Sequence, residues 1–382
     1  SATAIREHFA YWDDIAVVHK GVRTLSTGHG FCGIGRRKLL QLLQERAAEL
    51  GVGLQFSTEA GPVQDYMAGY DLVVAADGVN SRARAAFAEV FKPDIDVRKC
   101  KFVWLGTHQK FDDAFTFIFE ETEHGWVWAH AYQFDPDTAT FIVECSQETW
   151  EKFGFGAMTR EESIAACETI FRNHLGGHAL MSNASHVRGS AWINFPRVLC
   201  ERWSYRNVAL MGDAAATGHF SIGSGTKLAL ESAVALADYV HSEPDLEAAF
   251  RKYEDARRTE VLKLQSAARN SLEWFEEVER YLDLDPVQFN YSLLTRSQRI
   301  SHENLRLRDG EWLGGAEEWF QRQAGAAAGT RRAPMFAPLR LRGLELANRV
   351  VVSPMAQYKA VDGAPTDWHF AHYAERAKGG AG

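Results

Sequence analysis

Val208-Ala-Leu-Met-Gly212-Asp213-Ala-Ala-Ala-Thr-Gly218-His219-Phe220-Ser-Ile-Gly223-Ser-Gly225-Thr226-Lys227 is the stretch on which the fold turns. Residues 207–211 predict a short buried strand. An acid closes it, a glycine-rich loop follows, and an apolar pattern over 226–241 predicts a helix. A carboxylate at the end of a parallel strand stands where open α/β sheets place their ligands, and it can accept hydrogen bonds from sugar-type hydroxyls. Gly223 and Gly225 permit close backbone approach. The free amides and positive dipole end of a helix starting near Thr226 would stabilise negative charge on a bound ring system.

Upstream, Leu39, Leu40, Leu42, Leu43, Ala47 and Leu50 recur at helical spacing, so 35–50 predicts an amphipathic helix stopped by Gly51. Residues 70–76, ending at Asp77-Gly78, predict a strand buried on both faces. From 101 to 144 the texture becomes alternating aromatic and β-branched: segments 102–107, 115–120, 125–132 and 139–144 predict an antiparallel sheet, with a hairpin turn at Phe134-Asp135-Pro136-Asp137. A helix over 161–175 and a strand near 187–195 complete that unit. Downstream, a second long helix is expected from Leu246 to about Asp283. Residues 325–334 are small and turn-rich, as a linker would be.

The 382 residues exceed what one core usually serves, and 46% apolar with 24% charged residues is ordinary globular material. A formal net charge of −8 argues against a nucleic-acid partner. Five scattered cysteines form no C-x-x-C pair and no disulfide framework, which points to a reducing cytoplasm and to no metal site. No apolar run reaches the ~18 residues of a membrane span, and residues 1–14 lack a signal peptide, so no membrane association is expected. The chain starts at Ser1 and stops in a glycine turn, so we expect a piece of a longer protein.

The 208–227 string resembles the second flavin fingerprint of the aromatic-hydroxylase flavoprotein monooxygenases, in which a Gly-Asp pair meets the FAD ribityl chain and a later glycine reaches the ring system; Gly212, Asp213 and Gly225 match. Ala216 and His219-Phe220 stand where the family often has His and a Pro-Pro pair. Asp71-Leu-Val-Val-Ala-Ala-Asp77-Gly78-Val-Asn80-Ser81-Arg82-Ala-Arg84 resembles the family's Asp-Gly motif beside the FAD diphosphate and the nicotinamide path. Arg36, with Leu39 three residues on, matches its R-x-x-L helix start. Gly28-His-Gly30-Phe-Cys-Gly33 satisfies G-x-G-x-x-G, but no βα unit precedes it, so it is set aside. The resemblance places the true dinucleotide fingerprint upstream of Ser1.

Longer strings narrow the likeness. Gly30-Phe-Cys-Gly-Ile-Gly35-Arg36, Phe102-Val-Trp-Leu-Gly-Thr107, Glu120-Glu-Thr-Glu-His-Gly-Trp126 and Gly189-Ser-Ala-Trp-Ile-Asn-Phe-Pro196 resemble the bifunctional salicylyl-CoA 5-hydroxylase and 2-aminobenzoyl-CoA monooxygenase/reductase group. Thr217 to Gly223 is also similar to the tryptophan hydroxylase of violacein synthesis. Residues 336–358, with Ser353-Pro354-Met355-Ala356-Gln357-Tyr358, resemble the first strand of FMN-binding old-yellow-enzyme barrels, continued by Pro365 to Arg376. In those barrels the backbone after Ser-Pro-Met touches FMN, and Tyr358 matches a tyrosine on the substrate side. Many relatives carry Cys where this chain has Ala356. His369 and His372, at i, i+3, read as packing rather than metal ligands.

The expected fold class is therefore α/β: an FAD-binding Rossmann-like domain lacking its first βα unit (1–100 and 201–324), an inserted antiparallel-sheet substrate domain (101–200), a linker (325–334), and the first strand and helix of a TIM-type barrel (335–382). The implied cofactor-binding residues are Arg36, Asp77, Gly78, Arg82, Gly212, Asp213, Phe220, Gly223, Gly225, Thr226 and Lys227 for FAD, and Ser353 to Ala356 for FMN. NADH or NADPH is the implied reductant and an aromatic substrate, as a CoA thioester, the implied partner. An electron-rich ring needs a group that polarises its OH or NH2, and His219, His130 and Tyr132 are the candidates. Trp126 and Trp128 are expected to wall the pocket. Two rivals stand beside this reading. Trp126-Val-Trp128 approaches the W-x-W-x-I signature of flavin halogenases, but His130 occupies the Ile position. Alternatively, the chain as given holds neither flavin firmly.

Overall fold

Residues 125–133 place Trp126, Trp128, His130 and Tyr132 at one parity and Val127, Ala129 and Ala131 at the other. A strand here presents one ring-bearing face and one small apolar face. The computed structural model describes residues 2–112, 114–182 and 191–382 and sets this strand inside an eight-stranded sheet.

In chain order the framework is β1 (Asp14–His19) and β2 (Val22–Ser26), α1 (Arg36–Glu49), β3 (Val73–Ala75) and α2 (Arg82–Ala86). Next come β4 (Pro93–Thr107), β5 (Ala114–Thr122), β6 (Gly125–Gln133) and β7 (Ala139–Cys145), then α3 (Gln147–Phe153) and α4 (Arg160–Phe171). The chain continues through β8 (Leu180–Met181), β9 (Ile193–Cys200), β10 (Ser204–Tyr205) and β11 (Val208–Leu210) to α5 (Gly225–Ser242) and α6 (Leu246–Glu276). It closes with α7 (Pro286–Thr295), α8 (His302–Arg308), α9 (Gly310–Gln323), the hairpin β12 (Leu339–Leu341) and β13 (Leu344–Leu346), and α10 (Asp367–Lys378). Local chemistry sets the boundaries. Asp245 caps α6, Thr159 and Glu162 form a capping box on α4, and Pro286 after the Asp285 cap starts α7.

The large sheet runs β8-β4-β7-β6-β5-β1-β2, with β9 also on β4. Its small-residue face, with Val127, Ala129, Phe141 and Val143, packs under α3 and α4 through Phe155, Cys167 and Phe171. Its ring-bearing face meets Trp274 and Phe275 of α6 and Phe289 and Leu293 of α7. A small sheet, β10-β11-β3, packs on α5 and the first half of α6 through Leu210, Leu228, Leu236, Phe250 and Tyr253. Among the described residues no helix is long and apolar enough to cross a membrane.

The expected turn at 134–137 forms: Asp135 Oδ1 accepts from the amides of Asp137 (2.9 Å) and Thr138 (2.6 Å). Several expectations need correction. The large sheet is mixed, because β1 lies parallel to β5. The boundary set between 100 and 101 falls inside the 15-residue β4, which has to be long to pair with β9 at one end and β7 at the other. β3 is an outer strand with β11 on one side only, so Val74 stays 40% exposed and the strand is not buried on both faces. α1 forms as expected but buries no side chain, since β3 has no further strand for it to lie across. The strand expected near 187–195 is observed as β9; positions 187–190 lie outside the described residues. The long helix stops at Glu276, before a short 3-10 turn at Val278–Arg280, rather than at Asp283. The stretch 325–334 is tethered, with Gln321 donating to the Arg332 carbonyl at 3.1 Å.

The barrel-type tail departs most. The β12–β13 hairpin and a single Val361–Ala364 bridge are its pairings among the described residues; residues 350–358 form no ladder, and α10 buries no side chain. A parallel strand is stable only between neighbours, and the described residues supply none for this one.

Candidate functional site

β11 is wholly buried and parallel to β3, so its C-terminal end and that of β3 open on the same side. The chain leaves β11 at Gly212, whose φ of +62° suits glycine, and Asp213 follows at the mouth. The Asp213 side chain reaches solvent, yet surrounding protein holds its carboxyl above the ordinary value, an effect that Arg36 opposes. Arg36 and Asp213 thus face one another electrostatically across more than 170 residues of sequence. Gly223, also at φ +62°, is bare: a Cβ there would meet nothing within 4 Å. Ser224 then precedes α5 with its Oγ buried and without a partner, beside the unbonded first-turn amides at Gly225 and Thr226. Thr226 and Lys227 are exposed, and Lys227 pairs with Glu231 on the outer face of α5.

The Asp-Gly motif lies alongside, with its roles redistributed. Asp77 accepts from Ser81 Oγ (2.5 Å) and the Ala83 amide (3.1 Å), so it caps α2. Burial pushes its carboxyl up, but these hydrogen bonds outweigh burial and leave it below the usual range. Gly78 takes φ +80° in the turn. Arg82, expected at the cofactor, points outward to Glu59 at 2.8 Å. Arg84 is the arginine that turns inward: buried, it donates to the carbonyls of Ala214 (3.0 Å), Asp213 (3.4 Å) and Val79 (2.5 Å), tying this motif to the Gly212–Asp213 turn.

On the far side, the loop tip at His219 and Phe220 lies against the ring-bearing face of the large sheet. Phe220 touches Phe102 (4.7 Å between centroids), His130 (5.7 Å) and Trp104 (6.0 Å). His219 stacks on Phe220 (4.2 Å) and meets Phe195 edge-on (4.6 Å). His130 and Trp128 each donate, from Nε2 and Nε1, to one oxygen of Glu144 at 2.9 Å, with all three side chains about 1% exposed. The shared acceptor follows from register, since Trp128 lies opposite Glu144 and His130 two residues on points to the same face. Arg296, after α7, lies over the rings of Phe117 (5.0 Å) and Phe275 (5.3 Å); burial lowers its guanidinium to about 10 while Glu144 opposes the shift. Beyond it opens a surface cavity of about 590 Å³ lined by Arg98, Glu276 and Tyr281.

The structure therefore brings together His219, Phe220, His130, Gly212, Asp213, Gly223 and Gly225. Other expected residues go elsewhere. Tyr132 stacks with Trp12 (5.9 Å) and Phe115 (5.0 Å) further along the sheet, and burial pushes its phenol up. Trp126 packs on His19 (5.6 Å) under α7, so it belongs to the core rather than to a pocket wall, and Trp128 is sealed in that core. Ser353, Pro354, Met355 and Ala356 are exposed, Tyr358 is 95% exposed, and together they form no site. His369 accepts from the Thr366 amide at 3.0 Å as a helix cap, and His372 stacks on Trp368 at 4.7 Å. The 28–33 glycines also have a packing role: a Cβ on Gly28 would meet the Arg308 carbonyl oxygen at 2.4 Å. Sequence reasoning missed Glu144, Arg84 and Arg296. An acid inside the apolar run of β7 was the available signal for Glu144; Arg296 carried none.

No protein-family model matches the chain. It is 37% identical over 359 residues to a salicyloyl-CoA 5-hydroxylase of a Streptomyces species, which takes in 91% of this chain and 66% of that protein's length. It is 37% identical over 310 residues to the 3-hydroxy-4-methyl-anthranilyl-(aryl-carrier protein) 5-monooxygenase of Streptosporangium sibiricum, covering 80% of this chain and 79% of the other. With the protodeoxyviolaceinate monooxygenase of Chromobacterium violaceum it shares 34% over 294 residues, 76% of this chain and 77% of that one. A 50-residue stretch is 48% identical to an NADPH dehydrogenase of Listeria welshimeri, 13% of this chain and 15% of that protein. Among solved structures, a probable FAD-dependent monooxygenase from Pseudomonas aeruginosa superposes with a TM-score of 0.52 at 21% identity, over 73% of this chain and 82% of its own. The 2-methyl-3-hydroxypyridine-5-carboxylic acid oxygenase superposes with 0.56 at 17%, over 81% and 82%. At these identities the structural likeness speaks to the fold alone.

Proposed function

This chain belongs to the flavin-dependent aromatic monooxygenases, and on that premise we propose that it carries the hydroxylating part of an enzyme that inserts oxygen into the ring of an aromatic acyl thioester, with NAD(P)H as reductant. The observation that carries the reading is the turn at 212–225, which joins a strand-end acid and a helix N-terminus to an aromatic sheet face through His219 and Phe220. Thioester chemistry is supported by the names of two relatives, one acting on a CoA ester and one on a carrier-protein ester.

FAD fits the residues present. Bare backbone at Gly223, the unpartnered buried Ser224 Oγ, the α5 amides and the open Asp213 form a polar cradle of the required chemistry. Gly212, Asp213, Gly223, Gly225 and Thr226 would hold the flavin, with Arg36 adding positive charge. When bound, FAD supplies the redox chemistry that activates O2 at the expense of NAD(P)H. The chain supplies placement. Phe102, Trp104, Phe195 and Phe220 orient a ring and exclude water, His219 stands ready to bond to its polar substituents, and His130, bonded to Glu144, backs Phe220.

For residues 335–382 we keep the reading of a barrel opening, which rests on the resemblance of 336–358; a likeness to an NADPH dehydrogenase over 50 residues is of the matching size. The exposed Ser353–Ala356 segment does not by itself fit FMN, and no step is derived from it.

The test is the rate of flavin reduction by NADH with salicyloyl-CoA, 2-aminobenzoyl-CoA, free salicylate or tryptophan added separately. Acceleration by an aroyl-CoA alone supports the proposal. Acceleration by tryptophan would move the protein to the indole-type reading favoured by the violacein-pathway relative, and acceleration by none would sink the aroyl-CoA proposal and return the substrate to the wider aromatic-hydroxylase range.

A further inference from the structure

We propose that Arg296, Ser271 and Ser221 are positioning residues that hold His219 as a neutral imidazole whose Nε2–H is offered to an acceptor oxygen of the bound aromatic substrate. The proposal rests on the reading of the 212–225 turn and adjoining sheet face as the active site.

Arg296 Nε lies 2.9 Å from Ser271 Oγ, Ser271 Oγ lies 3.0 Å from Ser221 Oγ, and Ser221 Oγ lies 2.9 Å from His219 Nδ1. A guanidinium only donates. Ser271 must therefore accept from Arg296 and pass its own proton to Ser221, and Ser221 in turn donates to Nδ1. The Ser221 backbone amide also donates to Nδ1, at 3.2 Å. This is the assignment that gives every hydroxyl proton in the chain a partner, which matters because Ser271 is 0% and Ser221 5% exposed. Arg296 is itself held in place, donating to the carbonyls of Leu293 (2.7 Å) and Ser221 (2.9 Å).

Nδ1 is thereby an acceptor, and the ring's one proton sits on Nε2. That nitrogen, on the opposite edge of the ring, has no protein partner among the described residues. The charged and titratable groups that act on it are Arg98 on β4, His130 on β6 and Arg296 after α7, with Glu144 on β7 bonded to His130. Burial first, then His130, Arg98 and Arg296, push His219 down to about 3, so it stays neutral across the physiological range. Glu144 is engaged by His130 and Trp128. The result is a fixed neutral donor on an aromatic wall. It suits a thioester carbonyl or ring hydroxyl oxygen, whereas a ring amino group conjugated to the arene is a poor acceptor.

The test uses the full chain with FAD, labelled with 15N-histidine, in two-bond 1H–15N correlation spectra; His219 is assigned by its loss in His219→Gln. The expected spectrum is the neutral Nε2–H form from about pH 5 to 8. In Ser271→Ala and Arg296→Met, where Ser221 Oγ is no longer obliged to donate, an Nδ1–H tautomer fraction should appear, and Ser271→Thr should restore the parent spectrum. Imidazolium or an Nδ1–H tautomer in the parent at neutral pH overturns the proposal, as does an unchanged spectrum in both variants. Should Arg296→Met fail to fold, Ser271→Ala decides alone. Saturation with salicyloyl-CoA should shift the Nε2–H resonance, and Ser271→Ala should lower kcat/KM about tenfold. If salicyloyl-CoA accelerates flavin reduction but leaves that resonance in place, the donor role is wrong. If no aromatic accelerates reduction, the functional reading fails, and the donor role proposed for His219 falls with it.

Discussion

Replacing Glu144 tests the buried polar row directly. Its side chain is 1% exposed, and one of its oxygens accepts from Trp128 and His130, each also 1% exposed, at 2.9 Å. Glu144→Ala leaves two donors with no protein or solvent partner, removes the carboxylate that faces Arg296, and opens a void between sheet and helix. Breaking such a buried arrangement costs about 3–5 kcal/mol, a large share of a total stability of about 5–15 kcal/mol. Glu144→Gln keeps an acceptor oxygen and the volume, and should cost about 1–2 kcal/mol. Urea denaturation followed by near-ultraviolet circular dichroism reports the difference, because Trp128 stacks against Phe119 and Phe275. A cost below about 1 kcal/mol for Glu144→Ala, or equal costs for Ala and Gln, would refute the reasoning.

Acid should destabilise the fold through its histidines. Burial pushes His29 down to about 4 and His219 to about 3 from 6.5; the unfolded chain binds these protons first, so stability is complete above about pH 6.5 and falls below it, by up to about 1.4 kcal/mol per pH unit for each histidine. His29→Gln should flatten that slope in urea melts between pH ~6.5 and ~4, and an unaltered slope would clear His29. Arg84→Ala should cost about 2–3 kcal/mol and weaken flavin retention on gel filtration, since a buried guanidinium bridges the two turns. Arg82→Ala, which removes an exposed ion pair, should cost at most about 1 kcal/mol; the reverse ranking would show that the wrong arginine has been assigned.

The turn at 208–227 was legible because each of its requirements is local: a buried strand, glycines at left-handed positions, a helix start. The four strands from 102 to 144 were legible by alternation. β1 escaped because Asp14–His19 is apolar without alternation, and its partner β5 lies a hundred residues away. The missing burial of α1 could not be read, since an apolar stripe records what a helix can cover and says nothing of whether a strand lies beneath it. Asp77 and Arg82 were placed by motif position, but cap geometry turned Asp77 to α2 and left Arg84, two residues on, facing the Gly212 turn. Ser221, Ser271 and Arg296 meet only because α6 and α7 cross the sheet, a tertiary fact with no local trace.

The 31 residues of α6 have a mechanical meaning. Phe250, Tyr253 and Leu264 are embedded in the core of the small sheet, while Trp274 and Phe275 are embedded against the large one. At 1.5 Å per residue this is a continuous rod about 45 Å long with both ends anchored. The two layers that meet at the turn cannot swing apart like the leaves of a book without bending the rod or pulling an aromatic anchor from its socket. Any rearrangement at the turn is therefore left to the short segments around His219 and Phe220, while α6 ties the layer that carries the strand-end acid to the layer that carries the aromatic face.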